Sequence, residues 1–363
     1  MKAAFVYVSR LLGLFHLSRW LLRKRLLILC YHGFELSDEA DFRPALFIRP
    51  ETFRRRMKML AERGFTVLPL DEAMKRLRGG DLPPNAVVIT IDDGFYSVKQ
   101  AAQPILAEYG FPSTLYATTN RIMLGTPVFR MVIQYLFWKT RATAIEFANH
   151  SWVAAGRYDL TDAEVATGIC RELVAAGEYN GDEERREAIC REVAAKLRVD
   201  YDEIVRSGMF THVLPDDLKE LDRSGMDVQL HTHTHTLTHN GEPMIEREIS
   251  VNAQLLNRWL DKRCTHFCYP LGEWQPSYLN ELAKLGVESA TTCEAGRNDR
   301  STNPLALYRS LDGENITDLQ FEDGLYGFSE MFRVLVGRRR KRNGVRSRAE
   351  PAAPYETAGA ARD

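Results

Sequence analysis

The sequence predicts an α/β protein in which parallel strands alternate with helices, as in a parallel sheet or a barrel. Short apolar runs such as 87–91 recur between longer amphipathic stretches such as 50–63, and unbroken apolar runs are typical of strands buried on both faces. The chain has 363 residues, of which 45% are hydrophobic, so it can bury a substantial core. Several apolar runs end directly in His, Asp or Pro-Leu-Gly, and barrel proteins carry their chemistry at such strand ends.

The predicted elements fall into two stretches of chain. Those of the first stretch are strand 26–31, helix 50–63, strand 65–68, helix 70–77, strand 87–91, helix 98–109 and strand 113–117. Those of the second are helix 214–224, strand 227–230, helix 244–260, strand 266–269, helix 276–285 and strand 289–292. Between them, at about 120–212, strand signals fade and 182–198 is strongly helical and charged, which predicts a mainly helical insertion. We therefore expect one principal domain over 26–336.

Charge is balanced over the whole chain but not along it. The 48 Lys and Arg residues face 49 Asp and Glu residues, a formal net charge of -1, so nucleic acid is not an expected partner. All charged residues before Glu35 are basic, and the tail at 337–363 opens with a basic cluster, Arg338 to Arg342. The tail is polar and rich in Pro and Ala, and we expect it to be disordered.

The N-terminal segment 1–25 combines apolar residues with interspersed Arg and Lys. It is too interrupted for a secretion signal or a membrane span. The pattern predicts an amphipathic helix at an anionic membrane surface, and the alternative is a helix packed on the domain. The six cysteines do not form the paired spacing of a zinc knuckle. We expect a cytoplasmic protein, with peripheral association with the inner membrane as an open alternative.

Two segments carry the strongest chemical signal. Four of the nine histidines lie within 231–239, and neutral imidazole is the commonest metal ligand in proteins. Asp92 and Asp93 follow the apolar run 87–91 directly, so one carboxylate can ligate a cation while the other accepts a proton. Without the histidines, a turn capped by Asp would be an equal interpretation. If the strand before His231 continued, alternate histidines would point the same way. Together the segments predict a metal-dependent hydrolase.

Four motifs resemble the polysaccharide deacetylase family, also known as the NodB-homology or carbohydrate esterase four family. They are Thr90-Ile91-Asp92-Asp93-Gly94 for the T-F-D-D-G signature, His231-Thr232-His233-Thr234-His235 for H-[ST]-x-x-H, Phe267-Cys268-Tyr269-Pro270-Leu271-Gly272 for the R-x-P-Y-G motif, and Leu29-Cys30-Tyr31-His32 for the L-x-Y-H opening. The resemblance implies a distorted (β/α) barrel that removes an acyl group from the nitrogen of an amino sugar. It covers roughly 26–309, without the insertion.

The resemblance also implies roles by position. Asp93, His231 and His235 would bind the metal, and Asp92 would be the general base. Physical chemistry agrees, because two imidazoles and one carboxylate leave coordination positions open for water and substrate. A carboxylate close to a cation stays ionised and able to take a proton. The expected substrate-binding residues are Tyr269, Pro270 and Trp274.

The chain departs from the family pattern at two places. Cys268 stands where the third motif usually has the Arg that orients the catalytic Asp, and Arg309 is expected to supply that guanidinium from another strand end. Leu271 replaces a Tyr whose backbone N–H serves as oxyanion donor, a role that survives a change of side chain. No late L-x-H motif is present to supply the general acid, and His32 is expected to take that role.

The sequence therefore predicts a metal-dependent N-deacetylase of a carbohydrate that contains acylated amino sugars. Zinc is the expected cation, and cobalt, manganese or iron would suit the same ligands. Two alternatives stay open. One is a deformylase or deacetylase of a lipid-linked sugar at the inner membrane face, and the other is a catalytically inactive carbohydrate-binding member.

Overall fold

A computed structural model describes residues 3–149, 152–179, 182–239 and 242–333, and the tail at 337–363 lies outside them. The described chain forms two compact units. One contains the residues up to Val128 together with Val205–Ser329, and the other is built from Phe129–Ile204. Each unit is described by itself below.

The first unit is built on a closed barrel of parallel strands. Along the described chain the strands are β1 (Leu27–Tyr31), β2 (Gly33–Phe34), β3 (Phe47–Ile48), β4 (Thr66–Val67), β5 (Ala86–Ile91), β6 (Ser113–Ala117), β7 (Ala144–Phe147), β8 (Gly156–Asp159), β9 (Met226–Leu230), β10 (Thr238–His239), β11 (Glu242–Pro243), β12 (His266–Cys268), β13 (Ser289–Ala295) and β14 (Leu307–Leu311). The barrel follows the order β1-β14-β13-β12-β9-β6-β5 and closes through pairing of β5 with β1, while β4 pairs with β5 at its start. The predicted (β/α) barrel is confirmed.

Helices connect the strands and cover the barrel. They are α1 (Ala3–Leu11), α2 (Leu14–Leu22), α3 (Glu39–Phe42), α4 (Pro50–Glu62), α5 (Leu70–Gly79), α6 (Gln103–Tyr109), α7 (Thr119–Leu124), α8 (Phe129–Lys139), α9 (Ala163–Glu178), α10 (Glu183–Leu197), α11 (Tyr201–Ser207), α12 (Pro215–Arg223), α13 (Ile245–Leu260), α14 (Tyr278–Lys284) and α15 (Asp318–Tyr326). A π-helical stretch, Val98–Ala102, precedes α6, and a 3₁₀ turn, Pro270–Gly272, follows β12.

Apolar sequence explains why the barrel core forms. Every residue of β1, β5 and β6 is buried, as expected for strands with side chains packed on both faces. The helices bury one stripe only. In α4, for example, Phe53, Met57 and Leu60 are buried on the side predicted from their spacing. The second unit packs α8, α9 and α10 together and carries the antiparallel hairpin of β7 and β8.

The N-terminal segment forms two helices where the sequence predicted one. Gly13, at φ 73°, adopts the left-handed conformation between α1 and α2, which glycine reaches without steric cost. Phe15 packs against Tyr326 and Phe328, at ring-centroid distances of 5.8 and 5.5 Å. The pair therefore packs on the domain, as the alternative interpretation expected, but it leaves a second face exposed. Among the described residues, no helix has both the length and the apolarity to cross a bilayer.

Candidate active site

Polar residues singled out in the sequence collect at the carboxyl end of the barrel. His32 follows β1, Asp92 and Asp93 follow β5, and His231 follows β9 directly. Arg309 lies at the middle of β14. Because the barrel strands are parallel, their carboxyl ends open onto the same face, and segments that are distant in sequence meet there.

Asp93, His231 and His235 form a compact group whose atoms could hold a metal ion. Asp93 Oδ1 lies 3.3 Å from His231 Nε2 and 3.1 Å from His235 Nε2. Ligand atoms arranged tetrahedrally at about 2.0–2.2 Å from zinc are about 3.3–3.6 Å apart, so the donor set suits one small cation and its spacing is close to that range. Burial alone would raise the pKa of Asp93. Hydrogen bonds with the two imidazoles outweigh burial and hold that pKa well below its ordinary value.

The His231 ring is oriented by groups behind it. Its Nδ1 atom lies 2.9 Å from the Cys268 carbonyl oxygen, which leaves Nε2 facing Asp93. The His231 backbone N–H donates to Asn252 Oδ1 at 3.0 Å, and Asn252 Nδ2 donates to the Ala117 carbonyl at 3.0 Å. Such outer contacts typically fix the tautomer and the direction of a metal-binding imidazole. Asn252 thus ties the end of β9 to the end of β6.

Left-handed backbone turns bring His235 back toward Asp93. Thr232 and His235 have φ values of 63° and 62°, a region that costs a non-glycine residue about 1–3 kcal/mol. Glu248, on α13, stabilises the turn because it accepts hydrogen bonds from the Thr234 backbone N–H at 2.7 Å and hydroxyl at 2.9 Å. The strain is therefore held by specific contacts in the region of the site.

The histidine run does not continue the strand that precedes it. The strand β9 ends at Leu230, so His231, His233 and His235 do not alternate along a strand. His233 instead places its Nδ1 atom 3.0 Å from Thr119 Oγ1. His231 and His235 meet at Asp93, whereas His233 is bonded elsewhere.

Asp92 lies in a different, buried environment beside the candidate metal-binding group. Arg309 donates from Nη1 to Asp92 Oδ1 at 2.7 Å and from Nη2 to Oδ2 at 2.8 Å. Arg309 itself is anchored, because its Nε donates to the Thr292 carbonyl at 2.8 Å. Burial would raise the pKa of Asp92, but the guanidinium outweighs burial and lowers that pKa to about 2. Asp92 is therefore ionised at neutral pH and rigidly oriented.

Three cysteines surround this ion pair. The Sγ atoms of Cys268 and Cys30 lie 3.4 and 3.6 Å from Asp92 Oδ2, and Cys293 Sγ lies 3.8 Å from Arg309 Nη2. Burial raises the pKa of the Cys30 and Cys293 thiols, so these thiols stay protonated. Sequence reasoning assigned no role to the side chains of Cys30 and Cys293, because nothing in their spacing connects them with each other or with Asp92.

His32 approaches Asp92 from the end of β1. Its Nε2 atom lies 3.7 Å from Asp92 Oδ2, and its side chain is 11% exposed. Burial lowers the pKa of His32, against the opposing effect of Asp92 and Asp93. His32 is therefore neutral at neutral pH and has to gain a proton before it can donate one.

Leu271 is an exposed residue in the turn that follows β12, at the carboxyl end of the barrel. Its φ is 56° and it is 55% exposed, and within the described part of the chain its N–H has no backbone partner. The next residue has to be glycine, because a Cβ on Gly272 would lie 2.7 Å from Cys293 Cβ. This tight turn leaves the Leu271 N–H free to donate to a ligand.

The other expected substrate-binding residues are less accessible. Tyr269 and Pro270 are buried, and the Tyr269 hydroxyl donates to the Leu305 carbonyl at 2.9 Å. Neither side chain offers a free surface, because both pack into the protein beneath the turn. Trp274 is half-buried, and its indole N–H donates to Glu294 Oε1 at 3.0 Å. Of the three, only Trp274 keeps exposed ring surface.

Sequence reasoning missed the support that α13 gives to the histidine loop. A signal was present, since Glu248 and Asn252 fall on the same stripe as the buried Ile245, Ile249 and Leu256. A polar residue within an apolar stripe must find a buried partner. That argument could have pointed to both residues, although not to the groups they bind.

The barrel, the His, His and Asp group and the adjoining Asp–Arg pair define a (β/α)-barrel hydrolase. The family model described as polysaccharide deacetylase matches residues 79–184 and 191–290. The chain belongs to the polysaccharide deacetylase family, and the predicted NodB-type fold is confirmed. Members of this family hydrolyse amide bonds of carbohydrates.

Sequence relatives agree with this assignment. The protein YxkH of Bacillus subtilis (strain 168) is 20% identical over 287 residues, which cover 78% of this chain and 70% of that protein. The poly-beta-1,6-N-acetyl-D-glucosamine N-deacetylase of Escherichia coli (strain K12) is 26% identical over 132 residues, 32% of this chain and 19% of the enzyme.

Solved structures agree on the fold. The deacetylase PplD of Streptococcus pyogenes, solved in complex with acetate, aligns over 83% of this chain and 98% of its own, with a TM-score of 0.56 and 17% identity. IcaB from Ammonifex degensii aligns over 84% of this chain and 97% of its own, with a TM-score of 0.52 and 17% identity.

Proposed function

We propose that the protein is a metal-dependent N-deacetylase of a carbohydrate containing N-acetylated amino sugars. The observation that carries this proposal is that the Nε2 atoms of His231 and His235 both lie within 3.3 Å of Asp93 Oδ1. A second carboxylate, that of Asp92, is held beside this group by Arg309. Zinc suits two imidazoles and a carboxylate, and cobalt, manganese or iron would be accepted by the same ligands. A polymer of N-acetylglucosamine is the first substrate to test, because a related enzyme is named for one.

A divalent cation bound by the three ligands would polarise the acyl oxygen and lower the pKa of a water molecule. Asp92 then accepts the proton of the attacking water. Asp92 is ionised at neutral pH because Arg309 lowers its pKa to about 2. The same low pKa means that Asp92 gives up an accepted proton readily. The Leu271 N–H, which has no backbone partner among the described residues, serves in this proposal as a hydrogen-bond donor to the developing oxyanion.

His32 completes the proton path in this proposal. The leaving amine needs a proton, and His32 starts neutral because burial lowers its pKa. Its Nε2 atom is 3.7 Å from Asp92 Oδ2, close enough for a small shift to pass the proton from the carboxylate to the imidazole. Asp92 thus collects the proton and His32 delivers it.

Placement within the barrel bears on the lipid-linked alternative. The pair α1–α2 lies at the amino ends of the strands. It precedes β1 in the chain. Arg19 on α2 donates to the carbonyl of Gly64, just before β4, and to the side chain of Asn85, just before β5. The proposed catalytic residues lie at the opposite, carboxyl ends. A short lipid-linked sugar held at α1–α2 would not reach them. The intact ligand set weighs against an inactive carbohydrate-binding protein.

The test is release of acetate from N-acetylglucosamine oligomers with β-1,6 or β-1,4 linkages. Purified protein is stripped with a chelator, reloaded with one metal at a time, and assayed by NMR for free acetate. We expect turnover only in the reloaded protein. Asp92→Asn should keep bound metal and lose about 10²–10⁴-fold in turnover, the usual effect of removing a general base. Near-normal turnover by Asp92→Asn would exclude the assigned role.

His233 provides a matched control for the ligand assignment. His235→Ala should lose bound metal and turnover, whereas His233→Ala, two positions earlier in the same loop, should keep both. The comparison removes the same side chain from the same loop, so general damage to the loop would affect both variants. Loss of metal in His233→Ala with retention in His235→Ala would overturn the proposed site.

A further inference from the structure

Exposed apolar side chains are concentrated on the first two helices. Half of the 16 large apolar residues that are exposed in the described chain lie between Phe5 and Leu21. These eight residues lie on α1, α2 and their connection, with relative exposures of 41% for Phe5, 50% for Tyr7, 51% for Val8, 69% for Leu11, 70% for Leu12, 50% for Leu17, 58% for Trp20 and 52% for Leu21. We call this set the hairpin face. An apolar patch of this kind on a soluble surface usually marks a contact with a protein or a membrane.

The hairpin face is not a consequence of loose packing. The opposite side of the same helices is buried, with Val6 at 7%, Phe15 at 1% and Leu22 at 9% exposure. Ser18 turns its hydroxyl inward onto the Phe15 carbonyl at 2.9 Å. The two helices therefore have an attached side and an apolar outer side, and burial of the inner side holds the outer side in place.

The charged residues of the segment that carries the hairpin face are all basic. The chain carries no acidic residue before Glu35. Lys24 is exposed, and the Arg23 guanidinium lies 4.4 Å from the centroid of the Trp20 ring, beside the apolar surface. Arg10 is also exposed at the surface of α1, although it contacts Glu322 at 3.0 Å. Basic residues bordering apolar and aromatic ones are typical of helices that lie in an anionic lipid interface.

We propose that the hairpin face docks on the surface of an anionic lipid bilayer. Each helix has nine residues, about 14 Å at 1.5 Å per residue, so the pair would lie in the interfacial layer. Leu11 and Leu12, at the connection, enter the acyl region first. Trp20 suits the boundary between head groups and acyl chains, because its ring is apolar and its N–H is polar.

A second copy of the chain is the competing occupant, and charge disfavours it. A twofold interface would place the same patch of each copy against the other. The basic residues that border the patch would then face each other without acidic partners from the same segment. A bilayer containing phosphatidylglycerol instead supplies the opposite charge, and the attraction weakens as salt screens it.

Docking would fix the direction in which the barrel opens. The hairpin face belongs to the amino ends of the strands, and the candidate active site to the carboxyl ends, one strand length away. A five-residue strand such as β1 spans about 16 Å. The site would then open toward the aqueous phase, where it could receive a carbohydrate chain in solution.

The test measures cosedimentation of the full chain with vesicles of phosphatidylcholine alone or mixed with phosphatidylglycerol. We expect binding to the mixed vesicles at low salt, at least about 10-fold weaker binding to neutral vesicles, and partial release at high salt. The intrinsic fluorescence should shift to shorter wavelength on binding, and Trp20→Phe should remove most of this shift because Trp20 is the tryptophan on the hairpin face.

Matched variants locate the surface. Leu11→Glu with Leu12→Glu should weaken vesicle binding about 10-fold or more, since each removes a large apolar contact and adds repulsion. Met123→Glu with Leu214→Glu is the control, because these residues are exposed by 59% and 52% but lie outside the hairpin face. The control should bind vesicles as the unmodified chain does. Circular dichroism checks that both pairs fold.

Two outcomes would overturn the proposal. One is equal binding by the Leu11/Leu12 variant and the unmodified chain. The other is a dimer in sedimentation velocity that becomes monomeric in this variant without any vesicle binding, which would assign the hairpin face to a second copy. Because the measured quantity is binding, the result is independent of whether the proposed deacetylation is correct.

Discussion

The buried pair of Arg309 and Asp92 should govern both stability and turnover. Arg309→Leu removes a guanidinium that is 0% exposed and makes two hydrogen bonds to a carboxylate that is 3% exposed. Removing one partner of a buried ion pair typically costs about 3–5 kcal/mol, because the other charge stays buried without compensation. We therefore expect Arg309→Leu to lose about that much free energy of unfolding at pH 7.

A double variant separates the loss of the Arg309–Asp92 ion pair from general damage to the core caused by the substitution. Asp92→Asn with Arg309→Leu removes the stranded charge, so it should be more stable than Arg309→Leu alone. The coupling between the two sites in a double-mutant cycle should exceed about 1 kcal/mol, whereas distant and independent sites couple by less than about 0.5 kcal/mol.

The pH dependence has a definite sign. The pKa of Asp92 is lowered from 3.8 to about 2 in the folded protein, so Asp92 contributes stability that is present above its unfolded pKa and is lost as pH falls through 2. The shift corresponds to about 2 kcal/mol at 1.36 kcal/mol per pKa unit. Without Arg309, burial raises the pKa of Asp92 above its ordinary value. The stability gap between Arg309→Leu and the unmodified chain should therefore narrow as pH falls from 7 toward 5.

Urea unfolding followed by circular dichroism measures these free energies, and acetate release measures turnover. Arg56→Leu is the matched control, because Arg56 is 1% exposed and its Nε lies 3.2 Å from Asp312 Oδ2, in a buried ion pair separate from that of Arg309 and Asp92. It should lose stability, keep turnover per folded molecule and show no coupling to Asp92→Asn. A cost below about 1 kcal/mol for Arg309→Leu, together with normal turnover, would refute this reasoning.

Three further predictions concern the groups around the site. Asn252→Ala should weaken metal binding about 10–100-fold in a chelator competition assay, because it orients His231 from behind; unchanged affinity would make Asn252 purely structural. His32→Gln should keep bound metal but lower kcat and alter its pH profile, and an unaltered profile would remove His32 from the proton path. The Thr232 hydroxyl is buried with no partner among the described residues, so Thr232→Val should raise the free energy of unfolding by about 1 kcal/mol. A decrease on denaturant unfolding would mean that the hydroxyl has a ligand or water partner.

Much of the barrel could be predicted because its information is local. The run at 87–91 becomes β5, and that at 113–117 becomes β6, because the apolar residues of these runs and their small hydroxyl residues can be buried on both faces of a strand. The end of each run is marked by a change to polar residues. Asp92 and His231 could be placed at the site for this reason, since parallel strands bring their carboxyl ends together whatever lies between them.

The remaining features depend on contacts between segments that no local pattern connects. Cys30 and Cys293 come from different strands and meet only because β1, β13 and β14 are neighbours in the barrel. The left-handed turns at Thr232 and His235 oppose the local preference of both residues, and the contacts of Glu248 compensate. The glycine at position 13 could have predicted that the N-terminal segment divides into two helices. Which side of these helices is exposed could not be predicted, because it depends on their contacts with the barrel.

Localisation, metal identity and sugar identity stay predictions for a related reason. Each depends on a molecule other than the protein, and the chain encodes only the surface that such a molecule would contact. The hairpin face says more about localisation than composition does, because it combines exposed apolar residues with basic charge at the end of the barrel opposite the candidate active site.

One turn explains how two consecutive aspartates take different roles. Asp92 continues from β5 into the buried interior and meets Arg309, whereas Asp93 has φ 72° and Gly94 has φ 88°, so the chain reverses and the second carboxylate faces His231. An extended backbone would also separate adjacent side chains, but it would send one of them away from the site. The left-handed turn keeps both carboxylates near the site and gives them different neighbours. Asp92 contacts the Arg309 guanidinium, and Asp93 contacts two imidazoles. Burial acts on both carboxylates, and the partner of each decides its chemistry.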